Sequence, residues 1–154
     1  MRYWLMKTEP GTFGIEHLAA APRSTSAWDG VRNFQARNML RDEVRRGDQA
    51  FLYHSSCAVP GIVAVMQIVK QGYPDPTAFD RKHHHYDPDS DPGNPRWFMV
   101  DVQLKRRLAR TIALEELRAH AGKELKGMVL LRPGNRLSIM PVEAAHWKFI
   151  LSLE

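Results

Sequence analysis

The sequence predicts an α+β domain: a small mixed, mostly antiparallel, barrel-like β-sheet with helices packed around it. Hydrophobic patterning gives elements in the order β, α, α, β, β, β, α, β, α. The strands follow one another through short turns or irregular connections and do not alternate with helices as a doubly wound parallel sheet requires. A length of 154 residues, 44% hydrophobic and 25% charged, fits one domain over residues 1–154 with its own core, without linker, repeat or low-complexity segment.

Tyr3 to Lys7 is aromatic and aliphatic and stops at Glu9-Pro10-Gly11, which predicts a strand and a turn. Ile15, Leu18 and Ala19 have helical spacing, so a short helix spans Ile15 to Ala20. Residues 21–27 carry Pro22 and several Ser and Thr and read as a loop. From Phe34 to Val44, Ala36, Met39, Leu40 and Val44 share one helical face. Asn33 is placed to accept a free N–H of that helix's first turn. Gln49 to His54 is a strand with Ala50, Leu52 and His54 on one face and Phe51 and Tyr53 on the other. Gly61 to Gln71 is the clearest strand, rich in β-branched residues and covered on both faces. Gly72 to Pro95 is a long insertion rich in Pro, Asp and His, and Arg96 to Lys105 is the next strand. Thr111 is expected to cap a helix reaching His120. Arg136 to Met140 is expected to be a strand, and Pro141 to open a final helix with Trp147, Ile150 and Leu151 on one face.

The 22 basic and 17 acidic residues leave a net charge of +5, compatible with an anionic partner. The run Lys105 to Arg110 reads equally as a solvated face and as a surface for a nucleic-acid backbone. A single cysteine, Cys57, excludes an internal disulfide and suits a reducing compartment. No leader-like N-terminus and no apolar run of the roughly 20 residues that a membrane helix needs are present, so the expected location is the cytoplasm.

Three patterns invite a catalytic or metal reading, and each fails on chemistry. In His83-His84-His85-Tyr86-Asp87-Pro88-Asp89-Ser90-Asp91-Pro92, the carboxylates imitate the start of a calcium loop. Pro92 then stands where such a loop needs Gly, and Phe98 where it needs Glu. Adjacent imidazoles are not expected to converge on one ion, so no metal site is assigned. His54-Ser55-Ser56-Cys57 gathers a base, hydroxyls and a thiol, but neighbours in an extended chain point apart. Arg132-Pro133-Gly134-Asn135 is no phosphate loop, and no dinucleotide fingerprint occurs. The expectation is a non-enzyme with no cofactor.

A pocket for a flat ligand remains. Of the four Trp residues, Trp4 and Trp147 belong to apolar faces and read as core. Trp28 and Trp97 each follow a Ser- or Pro-rich loop, where two rings can sandwich a base at roughly 1–3 kcal/mol per stacked face. Asn33, Thr8 and Ser55 offer groups for a base edge, and Arg32 and Lys7 offer charge for phosphate. Residue types alone favour ordinary packing of Trp28 and a simple cap at Asn33.

The segment Tyr3-Trp4-Leu5-Met6-Lys7-Thr8-Glu9-Pro10 resembles the opening of the EVE domain. Trp28-Asp29-Gly30-Val31-Arg32-Asn33-Phe34-Gln35-Ala36-Arg37-Asn38 is similar to that family's most characteristic stretch. Gly47-Asp48, Phe51 to Ser55, Gly61-Ile62-Val63, Tyr73-Pro74-Asp75, Phe79-Asp80, Pro95-Arg96-Trp97 and Arg136 to Ile139 with Pro141-Val142 continue the likeness along the whole chain. The resemblance implies a PUA-like fold, a superfamily that includes the YTH domains. It also implies a non-catalytic reader of a modified base, with modified cytosine in DNA the leading candidate and RNA an alternative partner. The chain carries no nuclease segment, so any downstream action would need an effector protein. By the resemblance Trp28 is a cage wall, and Asn33 contacts the base edge or fixes the cage loop. Lys7 and Thr8 line the mouth, and His54 and Ser55 complete the pocket. Trp97 is placed as a second wall by pattern only. The competing functions are a hydrolase acting on a modified nucleoside, using Glu9, Asp29 or His54, and a small-molecule sensor. Trp28→Ala is expected to abolish discrimination while leaving the fold intact.

Overall fold

In a computed structural model that describes residues 1–154, six strands form one sheet. Strand β1 (Tyr3–Thr8) leads to helix α1 (Ile15–Ala20), short strand β2 (Thr25–Ala27) and helix α2 (Phe34–Asp42). Strands β3 (Gln49–His54) and β4 (Gly61–Pro74) follow, then β5 (Phe98–Ala113), helix α3 (Leu114–Ala119), strand β6 (Ile139–Val142) and helix α4 (Ala144–Ser152). The strand order is β2-β5-β4-β3-β1-β6. Only β1 and β3 run parallel; the other pairs are antiparallel. The expected α+β, mostly antiparallel architecture is thus present. The ladder does not close on itself, because β2 and β6 are its two edges. Register shifts between β4 and β5, at Ile62/Ala64, Val65/Met66, Ile68/Lys70 and Lys70/Tyr73, bend the two longest strands.

Alternation along the strands feeds two cores, one on each face of the sheet. Trp4, Met6, Ala50, Leu52, Met66, Ile68, Val100 and Val102 join α2, through Ala36, Met39 and Leu40, and Leu18 of α1. Leu5, Phe51, Tyr53, Ile62, Val65, Leu108 and Ile112 join α3, through Leu117, and α4, through Trp147 and Ile150. Trp4 and Trp147 are therefore core residues, as expected. Trp147 stacks on Phe51 with ring centroids 3.8 Å apart. Trp4 donates its indole N–H to the buried Asp48 carboxylate at 2.9 Å, and Asp48 also accepts the Arg2 and Arg45 N–H groups.

Four local expectations are corrected. Thr25–Ala27 is a strand, held by pairing to Gln103, Val102 and Asp101 of β5. Strand β5 runs on through the basic stretch to Ala113, so Thr111 lies in the sheet and Ala113 flanks α3. Within that stretch only Leu108 and Ile112 are buried, and their four-residue spacing imitates a helix. The last strand is Ile139–Val142, not residues 136–140. Pro141 sits inside it opposite Trp4, tolerated because β6 is an edge. The long insertion also begins later, since β4 continues to Pro74 and Pro76–Phe79 is a single 3-10 turn.

Candidate functional site

The loop from β2 to α2 is fixed by groups distant in sequence. Its Trp28 N–H donates to the Val100 carbonyl at 2.7 Å, extending the β2–β5 pairing by one residue. The Trp28 ring is only 6% exposed and packs in the α2-side core. Phe13 meets it edge-on, with centroids 6.2 Å apart and planes at 89°. Gly30 has φ of 76°, and a Cβ there would lie 2.3 Å from His85 Cε1. Both the backbone conformation and the close approach call for glycine.

Asp75 is the anchor of this loop. Its fully buried carboxylate accepts from Gly30 N–H at 2.9 Å and from Arg32 Nη1 at 3.1 Å through one oxygen. Through the other it accepts from Thr77 N–H at 2.9 Å and Thr77 Oγ1 at 2.6 Å. Burial pushes the Asp75 pKa up, but the donors from Thr77, Gly30 and Arg32 outweigh it and hold the carboxyl below its ordinary range. Arg32 also donates to the His85 carbonyl, Nη2 at 2.7 Å and Nε at 3.2 Å, which clips the histidine segment over the loop.

These contacts frame a cavity of about 470 Å³. Trp28 and Phe13 supply its aromatic surface, and Lys7 and Thr8 at the end of β1, Arg32 and His83 to His85 line it as well. Burial lowers the Lys7 pKa, and its ammonium lies 5.7 Å from the Tyr53 ring centroid. Thr8 donates its hydroxyl to the Phe13 carbonyl at 2.6 Å, leaving the oxygen free to accept.

Of the eight residues expected at the site, the fold brings Lys7, Thr8, Trp28 and Arg32 to this cavity. Asn33, His54, Ser55 and Trp97 do not line it. Asn33 accepts the Ala36 N–H at 3.0 Å, the cap expected of it, and so fixes the end of the Trp28 loop. His54 Nε2 accepts the Ile15 N–H at 3.1 Å, and Ser55 donates its backbone N–H to the Thr8 carbonyl at 2.8 Å. His54 thus holds the start of α1, and Ser55 the end of β1 at the cavity residue Thr8. Trp97 is buried beneath Phe34, rings stacked with centroids 4.9 Å apart, and donates its indole N–H to Asp87 at 2.6 Å. The aromatic partner of Trp28 is therefore Phe13. Nor is Trp28 detachable from the fold: a ring this buried belongs to the core, so Trp28→Ala would cost about 3–5 kcal/mol of stability, contrary to the expectation of an intact fold.

His83, His84 and His85 are a second departure. Turns at residues 81–85 bring potential ligand atoms of all three imidazoles within 4.8 Å of one another, close enough to hold a metal ion. The rings of His83 and His84 stack at 4.6 Å, while His83 Nδ1 accepts the His85 N–H at 3.0 Å. In that tautomer the other His83 nitrogen carries the proton. His85 Nδ1 is buried and unpartnered. Burial lowers the His85 pKa, with His84, His83 and Arg32 adding to it and Asp29 opposing.

Comparison with known proteins shows the family. The sequence profile of the EVE domain matches residues 2–153. The chain belongs to the EVE domain family. Thymocyte nuclear protein 1 of Danio rerio is 49% identical to it over 166 residues, covering 98% of this chain and 71% of the relative. The crystal structure of the human THYN1 protein in complex with 5-methylcytosine-containing DNA superposes with a TM-score of 0.94 at 47% identity, covering 99% of this chain and 97% of that one. A Pseudomonas putida protein structure gives a TM-score of 0.92 at 42% identity over 98% of each chain.

In this EVE domain the basic run of β5 is engaged within the fold. Arg106 pairs with Glu154 through two contacts of 2.7 Å, Arg107 with Glu16 at 2.7 and 3.2 Å, and Arg110 with Glu116 through two of 2.7 Å. Sequence reasoning singled out neither Phe13 nor Asp75 as a site residue. The signals were present only as an aromatic after a Pro-Gly turn and an Asx motif before Pro76.

Proposed function

We propose that this EVE domain is a non-catalytic DNA-binding module that reads a modified base, with methylated cytosine the leading candidate, in the cavity beside Trp28. One observation carries the reading: the cavity joins an aromatic wall to cationic groups, in a chain 47% identical to a protein solved with 5-methylcytosine-containing DNA. A volume of about 470 Å³ lies in the range of small-ligand pockets. Trp28 and Phe13 offer apolar surface to a base and its methyl group, while Lys7 and Thr8 offer a cation and an acceptor to the base edge. Arg32 stands beside the strand that delivers the base. An extrahelical base is required, since nothing inside a duplex reaches such a recess, and extrusion costs a few kcal/mol.

The hydrolase alternative finds little support in the arrangement. Of its three candidate residues only Asp29 lines the cavity, and neither Glu9, which is exposed, nor His54 is there to act as its acid–base partner. The His54 nitrogen that would act as base is occupied by the Ile15 N–H.

The test is a fluorescence-anisotropy titration of short oligonucleotides containing 5-methylcytosine or cytosine, single-stranded and duplex, at several salt concentrations. Tighter binding of the modified strand is expected, weakening as salt rises through loss of phosphate contacts. Equal affinity for modified and plain strands at every salt would overturn base reading, and turnover of free 5-methyldeoxycytidine would overturn the non-catalytic reading.

A further inference from the structure

We propose that the exposed ring of Phe34 is a stacking platform for a base flanking the one held beside Trp28, with the guanidinium groups of Arg37 and Arg96 taking the adjoining phosphate. This rests on the reading of the cavity given above.

Phe34 is the one exposed aromatic side chain among the large hydrophobic residues, 53% exposed, the others being Met1 and Val59. It opens α2 immediately after the Asn33 cap, so its backbone is fixed. One face of the ring lies on Trp97, which is held by Asp87, so Phe34 has a rigid support and little rotamer freedom to lose on binding. Arg37 Cζ lies over the Phe34 ring 5.0 Å from its centroid and Arg96 Cζ 5.9 Å from it, so a base that stacks there takes the place of a guanidinium, which turns to the phosphate. Arg37 contacts no carboxylate; it donates to the Asn38 side chain and to the Arg96 carbonyl. Arg96 reaches Asp87 only at 3.4 Å, on the oxygen that Trp97 already occupies. The arginines of β5, by contrast, are each matched to a glutamate.

An exposed ring with cations around it is poorly suited to a protein core and well suited to a single nucleic-acid strand. Bases stack on the ring whatever their sequence, and the arginines meet the phosphates. Trp97 links the platform to the cavity: Phe34 stacks on its ring, and Arg32 lies over the same ring. Arg32, whose guanidinium lies 5.4 Å from the Trp97 ring, lines both the Trp28 cavity and a shallow depression floored by Trp97 and Arg96. In the proposed path, a strand whose central base enters the cavity crosses Arg32 and the Trp97 depression to reach Phe34 beside it.

The experiment compares Phe34→Leu and Phe34→Trp with the native chain. Leucine keeps an apolar helix former and removes the π-face; tryptophan restores a larger one. The probes are a single-stranded oligonucleotide carrying one 5-methylcytosine, the same strand with an abasic site on its 5′ or 3′ side, and 5-methyl-dCMP alone. Phe34→Leu is expected to weaken binding of the full strand roughly 5- to 150-fold, the span that one stacked base supplies. It should leave 5-methyl-dCMP binding unchanged, and Phe34→Trp should bind the strand at least as tightly as the native chain. One of the two abasic strands should reproduce the loss in the native chain and show no further loss in Phe34→Leu. Native-like binding of the full strand by Phe34→Leu overturns the platform while leaving the cavity reading in place. Failure of the native chain to bind 5-methyl-dCMP or to prefer the modified strand overturns the cavity reading. With no base held beside Trp28, the flanking-base platform falls with it, whatever Phe34→Leu does to strand binding. A loss shared equally by 5-methyl-dCMP also overturns the platform, because the effect then lies in the cavity.

Discussion

Removing the Asp75 carboxylate tests whether the Trp28 loop is held in the way the geometry indicates. Asp75 accepts four hydrogen bonds and its side chain is wholly buried. In Asp75→Ala the Gly30 N–H and the Thr77 donors lose their acceptor, and the Arg32 guanidinium loses its counter-charge. Breaking one side of a buried ion pair costs about 3–5 kcal/mol. Arg32 is 24% exposed and keeps the His85 and Val31 carbonyls, so part of its loss is recovered. The expected cost is therefore at the lower end, about 3 kcal/mol. Asp75→Asn separates charge and acceptor capacity from shape. Its NH₂ must face either the Gly30 and Arg32 donors or the Thr77 donors, so the near-isostere is expected to lose about 2 kcal/mol or more, through unpaired buried groups. Urea denaturation at pH 7, followed by tryptophan fluorescence, measures both variants. Hydrogen exchange at Gly30 reports the loop itself and is expected to speed up in each. A cost below about 1 kcal/mol for Asp75→Ala, or native stability in Asp75→Asn, would refute the anchor.

Gly30→Ala places a Cβ at positive φ and against His85, so it should destabilise by about 1–3 kcal/mol and shift tryptophan emission. A gain in stability, as Gly→Ala gives where the backbone is compatible, would show that the loop yields freely. Stability should also fall with acid. Burial lowers the His54 and His85 pKa values below the ordinary 6.5, so the unfolded chain binds more protons. Their contribution is complete above 6.5 and is lost as pH falls through the folded values. Protonated His54 can no longer accept the Ile15 N–H. Urea midpoints between pH 8 and 5 check this, and a flat profile would refute it.

What the sequence disclosed and what it concealed divide along the range of the interactions. Helix α1 and strand β3 have the expected bounds, and Asn33 caps α2 as expected, because periodicity and capping act within a few residues. Strand β2 was invisible, since three polar and small residues become a strand only by pairing with residues 101–103. The full length of β5 was hidden because its bulged pairing with β4 interrupts the alternation that marks a strand. The cavity was half legible. Lys7, Thr8, Trp28 and Arg32 meet there, whereas Trp97 shares its loop context with Trp28 but finds its partner in Phe34. The role of Asp75 depends on contacts 43 and 45 residues away, and no local pattern encodes those. The three adjacent imidazoles were not expected to converge on one ion, but the turns at residues 81–85 gather them.

The core and site readings of Trp28 are one arrangement. A wall for a flat ligand needs a ring that does not move, and burial is what immobilises it. Trp28 gains that rigidity from β2–β5 pairing on one side, from Phe13 at its edge, and from the Asp75 and Asn33 contacts that hold the following residues. The same burial leaves little of the ring for a ligand, so Trp28 alone cannot supply a sandwich. On the proposed reading, the remaining contacts fall to the other lining groups: Phe13, Lys7, Thr8, Arg32 and His85. Discrimination between bases is, on that reading, a property of the assembled cavity, and substitutions of these lining groups should alter selectivity at a smaller cost to the fold than substitutions of Trp28.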